Sequence, residues 1–103
     1  MKKILLSALL ALPVLALGQS QRLVLLEHFT QASCGPCATL NPGINRILEN
    51  RESDVVAIKY QVNWPGVDPM NADNPTEVLD RRTFYQVNSV PNSALDGKKP
   101  GSE

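Results

Sequence analysis

A single small α/β domain is the fold class the sequence predicts, on three observations. Two short, largely apolar runs, Leu23 to Phe29 and Asp54 to Val62, read as strands, and between them Leu40, Ile44, Ile47 and Leu48 recur at helical spacing. Further on, Asn74-Pro75-Thr76-Glu77 opens a second helix, and Ser93-Ala94-Leu95 is a short strand stopped by Asp96-Gly97. A strand–helix–strand crossover is right-handed in nearly every sheet, so the first two strands are expected to be parallel.

From the N-terminus, Lys2 and Lys3 precede an apolar stretch, Ile4 to Leu17, interrupted only by Ser7 and Pro13 and closing at Ala16-Leu17-Gly18. A charged start, a short apolar middle and small residues at the cleavage positions predict a secretory signal peptide over residues 1–18. A membrane anchor is the rival, but the run falls short of the roughly 20 residues that cross a bilayer. No cysteine follows the cleavage point to take a lipid. The expected mature domain is therefore 19–103, periplasmic or secreted, with no membrane span after cleavage. The chain carries 10 basic and 10 acidic residues, and losing Lys2 and Lys3 leaves the domain slightly acidic. That balance argues against nucleic acid or an anionic membrane surface as a partner.

Within the domain, Leu23 to Phe29 has the pattern of a buried strand. Thr30 to Ser33 forms a loop into the next helix, expected from Pro36 to about Asn50. Pro36 suits a first turn, where its missing N–H has no partner to lose, and Pro42 is expected to kink the helix. Asp54 to Val62 is rich in β-branched residues and forms the second strand. Asn63 to Asn74 has no apolar period and reads as a loop. The second helix then runs through Val78, Leu79, Arg82 and Tyr85 to about Gln86, with Arg81 and Arg82 expected on its solvated face.

The chemistry concentrates in Cys34-Gly35-Pro36-Cys37, which holds both cysteines of the chain. At i and i+3 in a first helical turn, two thiols share a face and can close a disulfide. The electropositive helix end stabilises a thiolate, the reactive form of cysteine. A structural disulfide stabilises mainly by closing a long loop in the unfolded chain, and this ring is too small for that. Dithiol/disulfide exchange is the expected chemistry. A zinc site is the rival, but zinc takes four ligands and the chain adds only His28 to the two thiols, so no metal is expected. An inert pair is the other alternative.

The order of strand, C-G-P-C, helix with an internal proline, strand, helix, Val-Pro and strand resembles the thioredoxin superfamily. Cys34-Gly35-Pro36-Cys37 is identical to the thioredoxin motif, and Pro42 stands where thioredoxins carry a helix-kinking proline. Lys59 falls where many members place a lysine, and Val90-Pro91 resembles the family's cis-proline. Glu27-His28-Phe29-Thr30 and the loop Trp64-Pro65-Gly66-Val67-Asp68-Pro69 resemble exported thioredoxin-like proteins of Bacteroidetes-type bacteria. The likeness covers about residues 23 to 97. It departs at Ser33, usually tryptophan, at His28, usually a buried acid, and at the ends, where thioredoxins carry further strands and helices.

The resemblance implies a reduced thioredoxin-like fold, C-terminally incomplete, without the final hairpin strand and helix. It implies an exported thiol–disulfide oxidoreductase that exchanges electrons with protein thiols and disulfides, and with an upstream redox partner. No cofactor is expected beyond the Cys34–Cys37 disulfide. Cys34, the more exposed thiol, would be the nucleophile and Cys37 the resolving thiol. Pro91 would lie cis against the pair, with the Val90 backbone free to bind a client. Lys59 is a candidate for tuning the thiols, and His28 a candidate base for Cys37, since imidazole titrates near neutral pH. Trp64, the only tryptophan, is a candidate groove wall. An uncovered sheet edge is expected to promote association. The alternative reading is a non-catalytic binding or assembly module of the cell envelope.

Overall fold

A three-stranded mixed sheet carries helices on both faces in the computed structural model, which describes residues 20–99. The signal peptide expected over residues 1–18 lies outside the described residues. In chain order the elements are β1 (Val24–Thr30), α1 (Gly35–Glu49), β2 (Val55–Gln61), α2 (Pro69–Asp73), α3 (Pro75–Tyr85) and β3 (Asn92–Leu95). The strand order is β2-β1-β3. β1 pairs with β2 in parallel, as the crossover rule requires, and with β3 antiparallel. Among the described residues, no helix is long and apolar enough to cross a membrane.

The register decides what each face carries. His28 stands opposite Lys59 on one side and Ser93 on the other, so these three share a face. Glu27, Ile58 and Ala94 share the opposite face. α1 covers the His28 face, through Asn41 to His28 and Asn45 to Lys59. α3 covers the Glu27 face, through Arg81 and Tyr85.

The two faces are built differently. The apolar core lies on the α3 side, where Phe29, Val62, Val78, Tyr85, Val87 and Ala94 are buried together and Tyr60, Trp64 and Val90 pack against them. Phe29 stacks on Tyr60 with ring centroids 5.0 Å apart and meets Tyr85 edge-on at 5.9 Å. The α1 side is joined by polar contacts. Asn41, not its neighbour Leu40, faces the sheet, and Leu40 and Ile47 are left exposed. Ile44 and Leu48 are half-buried on the same flank as Asn41, so the apolar spacing of α1 marked the helix correctly and half of its sheet-facing side.

Two local expectations need correction. The segment from Asn63 to Asn74 is not all loop, because α2 forms inside it. Asp68 caps that turn by accepting the N–H groups of Met70 (2.9 Å) and Asn71 (3.4 Å), and Pro69 supplies the preset first position. Nor do Arg81 and Arg82 form a solvated face. Arg81 pairs with buried Glu27, and the Arg82 guanidinium lies 4.2 Å over the Trp64 ring while its Nε donates to the Val87 carbonyl at 3.1 Å. Two acceptors buried beneath α3 drew those side chains inward.

The start of α3 shows a variation on the usual cap. Asn74 occupies the N-cap but does not cap a backbone N–H; its Nδ2 donates to Glu77 Oε2 at 2.7 Å. At the far end of the sheet, Asp96 and Gly97 both have positive φ, 51° and 77°, and Leu95 bridges Lys98. Two such residues in succession give a hairpin turn whose twist suits the strands. Asp96 also accepts the Leu25 N–H at 2.9 Å and pairs with Arg22, and these bonds hold its carboxyl below the usual carboxylate range, the backbone bond contributing most.

Candidate functional site

Cys34 and Cys37 form a disulfide at the first turn of α1, with Cα atoms 5.2 Å apart. Cys34 is the N-cap: its backbone is extended, φ −83° and ψ 109°, and its Sγ accepts the Cys37 N–H at 3.1 Å. A sulfur thus fills the place that a serine or aspartate oxygen fills in ordinary caps. Gly35 and Pro36 complete the turn without crowding it; a Cβ at Gly35 would meet nothing within 4 Å. Both sulfurs are sheltered, with Cys34 at 4% and Cys37 at 1% relative exposure. Cys34 is the more open of the two only by that margin.

Val90-Pro91 is a cis peptide and lies beside this pair. Its carbonyl oxygen, on Val90, is 3.7 Å from Cys34 Sγ. In the disulfide that sulfur has no proton to give, so the contact becomes a hydrogen bond only when Cys34 is a thiol. Trp64-Pro65 is a second cis peptide, which the sequence did not reveal.

The loop after β2 is sewn onto the segment that leads into the cysteines. Gln31 Nε2 donates to the Gly66 carbonyl (2.9 Å), the Ala32 N–H donates to Asp68 Oδ2 (2.9 Å), and Ser33 Oγ donates to the Val67 carbonyl (3.3 Å). Gln31 also receives the Ser33 N–H on its Oε1 at 2.5 Å. The approach is so close that a Cβ on Gly66 would sit 2.8 Å from Ser33 Cβ and Oγ. Gln31 and Asp68 are both buried, and each spends its side chain on this junction.

Two cavities border Cys34. One, of about 240 Å³, is lined by Cys34, Pro36, Trp64, Pro65, Ser89 and Val90. The other, of about 320 Å³, is lined by Cys34 together with Thr30, Gln31, Asn41, Asp68 and Met70 among others.

The structure thus brings Cys34, Cys37, Val90, Pro91 and Trp64 to one place. It does not bring Lys59 or His28 into bonding contact with the thiols. Lys59 Nζ donates to Asn45 Oδ1 at an exposed position on the α1 face. His28 is buried, with Nε2 3.0 Å from Asn41 Oδ1 and Nδ1 2.8 Å from Ser93 Oγ. Asn41 gives its Nδ2 to Thr30 Oγ1 at 2.9 Å, so its oxygen faces the ring and Nε2 carries the hydrogen. In the neutral ring Nδ1 then accepts from the Ser93 hydroxyl, and both nitrogens are engaged. Among the described residues, no group of three His, Cys, Asp or Glu side chains is placed to hold a metal ion.

Sequence reasoning missed Gln31, Gly66, Asp68 and Arg82 as parts of the site's frame. Asp68-Pro69 was a legible helix start inside a segment assigned to loop, but nothing in the sequence linked it to Ala32. No family model and no curated protein matches the chain.

Proposed function

We propose that the chain is an exported thiol–disulfide oxidoreductase with a thioredoxin-like fold, acting on protein disulfides through Cys34 and Cys37. The observation that carries this reading is the place of Cys34 at the N-cap of α1, disulfide-bonded to Cys37 and accepting its N–H. Once the pair is reduced, that N–H and the helix end favour negative charge on Cys34. The Cys34 thiolate attacks one sulfur of a client disulfide. A Cys34–client bond forms, and the client's second sulfur departs as a thiolate with the electron pair. Cys37 gives its proton to the departed client thiolate and, as a thiolate, attacks Cys34, restoring the Cys34–Cys37 bond and releasing the second client thiolate. The two electrons come from the dithiol, which an upstream reductant must regenerate. Run backwards, the same steps oxidise a client dithiol.

The position of the Val90 carbonyl, 3.7 Å from Cys34 Sγ, supports the reading, since an extended client segment pairing with that stretch of backbone would lie beside the reacting sulfur. The burial of both sulfurs favours a second reading, a binding or assembly module whose disulfide stays closed. Insulin reduction with dithiothreitol separates the two. Turnover above buffer, lost in Cys34→Ser, is the expected result. Turnover equal to buffer, with a disulfide that resists dithiothreitol, overturns the oxidoreductase reading in favour of the module.

A further inference from the structure

Ser33 precedes Cys34, so the segment entering the motif offers a hydroxyl and no ring. The chain's single tryptophan reaches the site by another route, from the loop after β2, and borders the groove that holds Cys34, Pro36 and Val90. We propose that Trp64 is the specificity wall of this groove, positioned by Arg82, and that the groove receives a large uncharged apolar side chain adjacent to the client's cysteine. The proposal rests on the oxidoreductase reading.

Four observations carry it. The groove is lined by Cys34, whose sulfur makes the attack, so whatever occupies it neighbours the client's reacting cysteine. Apart from Cys34, its lining of Gly35, Pro36, Trp64, Pro65, Ser89 and Val90 carries no ionisable group, so a charged occupant would lose water without gaining a partner. Its volume of about 240 Å³ is below the roughly 300–1,000 Å³ of sites for whole small molecules, and suits one large side chain. The walls are held before any client arrives. Arg82 lies 4.2 Å over the Trp64 ring and is anchored to the Val87 carbonyl, while Gln31 holds Gly66, two residues beyond Trp64. A preset wall spares the ordering entropy that a mobile one would cost on binding. With its guanidinium on the ring and its Nε bonded, Arg82 acts through Trp64 and is a positioning residue.

The test uses the reduced chain over residues 19–103 and peptides Xaa-Cys-Xaa whose cysteine is blocked as a thionitrobenzoate disulfide. Cys34 attacks the peptide sulfur and thionitrobenzoate leaves as a coloured thiolate. With Xaa as Leu, Ala, Glu or Lys, kcat/KM is expected to favour Leu by about tenfold or more, the scale at which apolar pockets discriminate. Trp64→Ala should erase that preference, Trp64→Phe should keep most of it, and Arg82→Lys, which keeps the charge but not the planar stack, should reduce it severalfold. Each protein's rate with hydroxyethyl disulfide, which has no side chain to seat, is its own reference. The Leu-peptide rate divided by that reference should fall about tenfold in Trp64→Ala and stay near the wild-type value in Trp64→Phe. Equal rates for the four peptides overturn the proposal. So does a preference for Glu, which would assign recognition to the Arg82 charge, or an equal loss with hydroxyethyl disulfide in Trp64→Ala, which would make Trp64 a general support. If the wild-type dithiol reacts with neither peptide nor hydroxyethyl disulfide, the oxidoreductase reading fails. The groove is then judged by Trp64 fluorescence in the oxidised protein titrated with Leu-Ser-Leu and Glu-Ser-Glu. A response to the first alone supports it, and equal or absent responses overturn it.

Discussion

Arg81 grips the Glu27 carboxylate at two points, Nε to Oε1 at 2.5 Å and Nη2 to Oε2 at 2.9 Å, across the sheet face opposite the cysteines. The partners differ in shelter: Glu27 is 1% exposed, whereas the Arg81 side chain is 38% exposed. Tyr60 and Tyr85 add their hydroxyls to the same carboxylate. The asymmetry predicts unequal mutational costs. Arg81→Met leaves a buried carboxylate with only tyrosine donors and should cost about 3–5 kcal/mol. Glu27→Gln leaves Arg81 free to reach water and should cost less, about 1–3 kcal/mol. Urea unfolding of the two variants measures the difference, and equal costs would refute this account of the pair.

The same cluster sets a pH window. Hydrogen bonding from Arg81 holds the folded Glu27 pKa below its ordinary 4.5, against the opposing effect of burial. A depressed carboxylate contributes stability that is present above pH 4.5 and is lost as pH falls through the folded pKa. Tyr60 and Tyr85 are raised above their ordinary 10.0, mainly by burial and then by the bond to Glu27. Their contribution is present below pH 10.0 and fades as pH climbs through the folded values. Urea midpoints should therefore hold a plateau between these limits and fall on both sides. Glu27→Gln should flatten this residue's share of the acid limb while leaving an alkaline limb from tyrosine burial.

The strands, the two longer helices and the cysteine turn were legible because each rests on local signals: apolar runs, capping residues, prolines at first turns and β-branched composition. Val90-Pro91 could be read as cis only through its resemblance. What the sequence hid are contacts between distant segments. The burial of Glu27 is compensated by Arg81, which lies on a helix far along the chain, so no local signal marks the pair. On α1, periodicity fixes an apolar stripe but not which flank of it meets the sheet: Ile44 and Leu48 are half-buried, whereas Leu40 is exposed and Asn41 takes the inner place by bonding His28 and Thr30. The loop after β2 shows no apolar period because its bonds go to Gln31, Ala32 and Ser33, not to its neighbours in sequence.

Gly66 is expected to be intolerant of even one added methyl. Its φ is not in the left-handed region, so the constraint is space: an alanine Cβ would lie 2.8 Å from both Cβ and Oγ of Ser33. Ser33 Cβ cannot swing away without moving backbone just before Cys34. Gly66→Ala should cost about 1–3 kcal/mol by overpacking. Ser33→Gly removes both clashing atoms, so the double variant should recover much of the loss, a coupling that a double-mutant cycle reads directly. Additive costs would show that the two loops are not in the contact described.

Asp68 gives a second measure of that junction. Its two oxygens take the N–H groups of Ala32, Met70 and Asn71, joining the cysteine loop to the cap of α2. Asn in its place has one acceptor oxygen and one donor, and cannot serve both sides. Asp68→Asn should cost about 1.5–3 kcal/mol, the worth of hydrogen bonds to a charged group. Hydrogen exchange should quicken at the amides of Ala32 or of Met70 and Asn71, whichever side is released. Unchanged protection at all three would contradict the assignment.

His28 is expected to matter more to stability than to rate. A base for Cys37 needs a free lone pair aimed at that sulfur, and here Nε2–H is committed to Asn41 while Nδ1 is committed to Ser93. Removing the ring would leave a cavity beside two half-buried polar partners, Asn41 and Ser93, so His28→Ala should cost about 2–4 kcal/mol from lost packing and broken hydrogen bonds. Resolution of a mixed disulfide between Cys34 and a peptide, measured on the folded fraction, should keep its rate and its pH profile. His28→Asp, which restores a proton acceptor but not the ring, should give no faster resolution than His28→Ala. A resolution rate that drops on loss of the imidazole and returns with the carboxylate would assign His28 the base role, and would require the ring to leave Ser93 or Asn41 during the reaction.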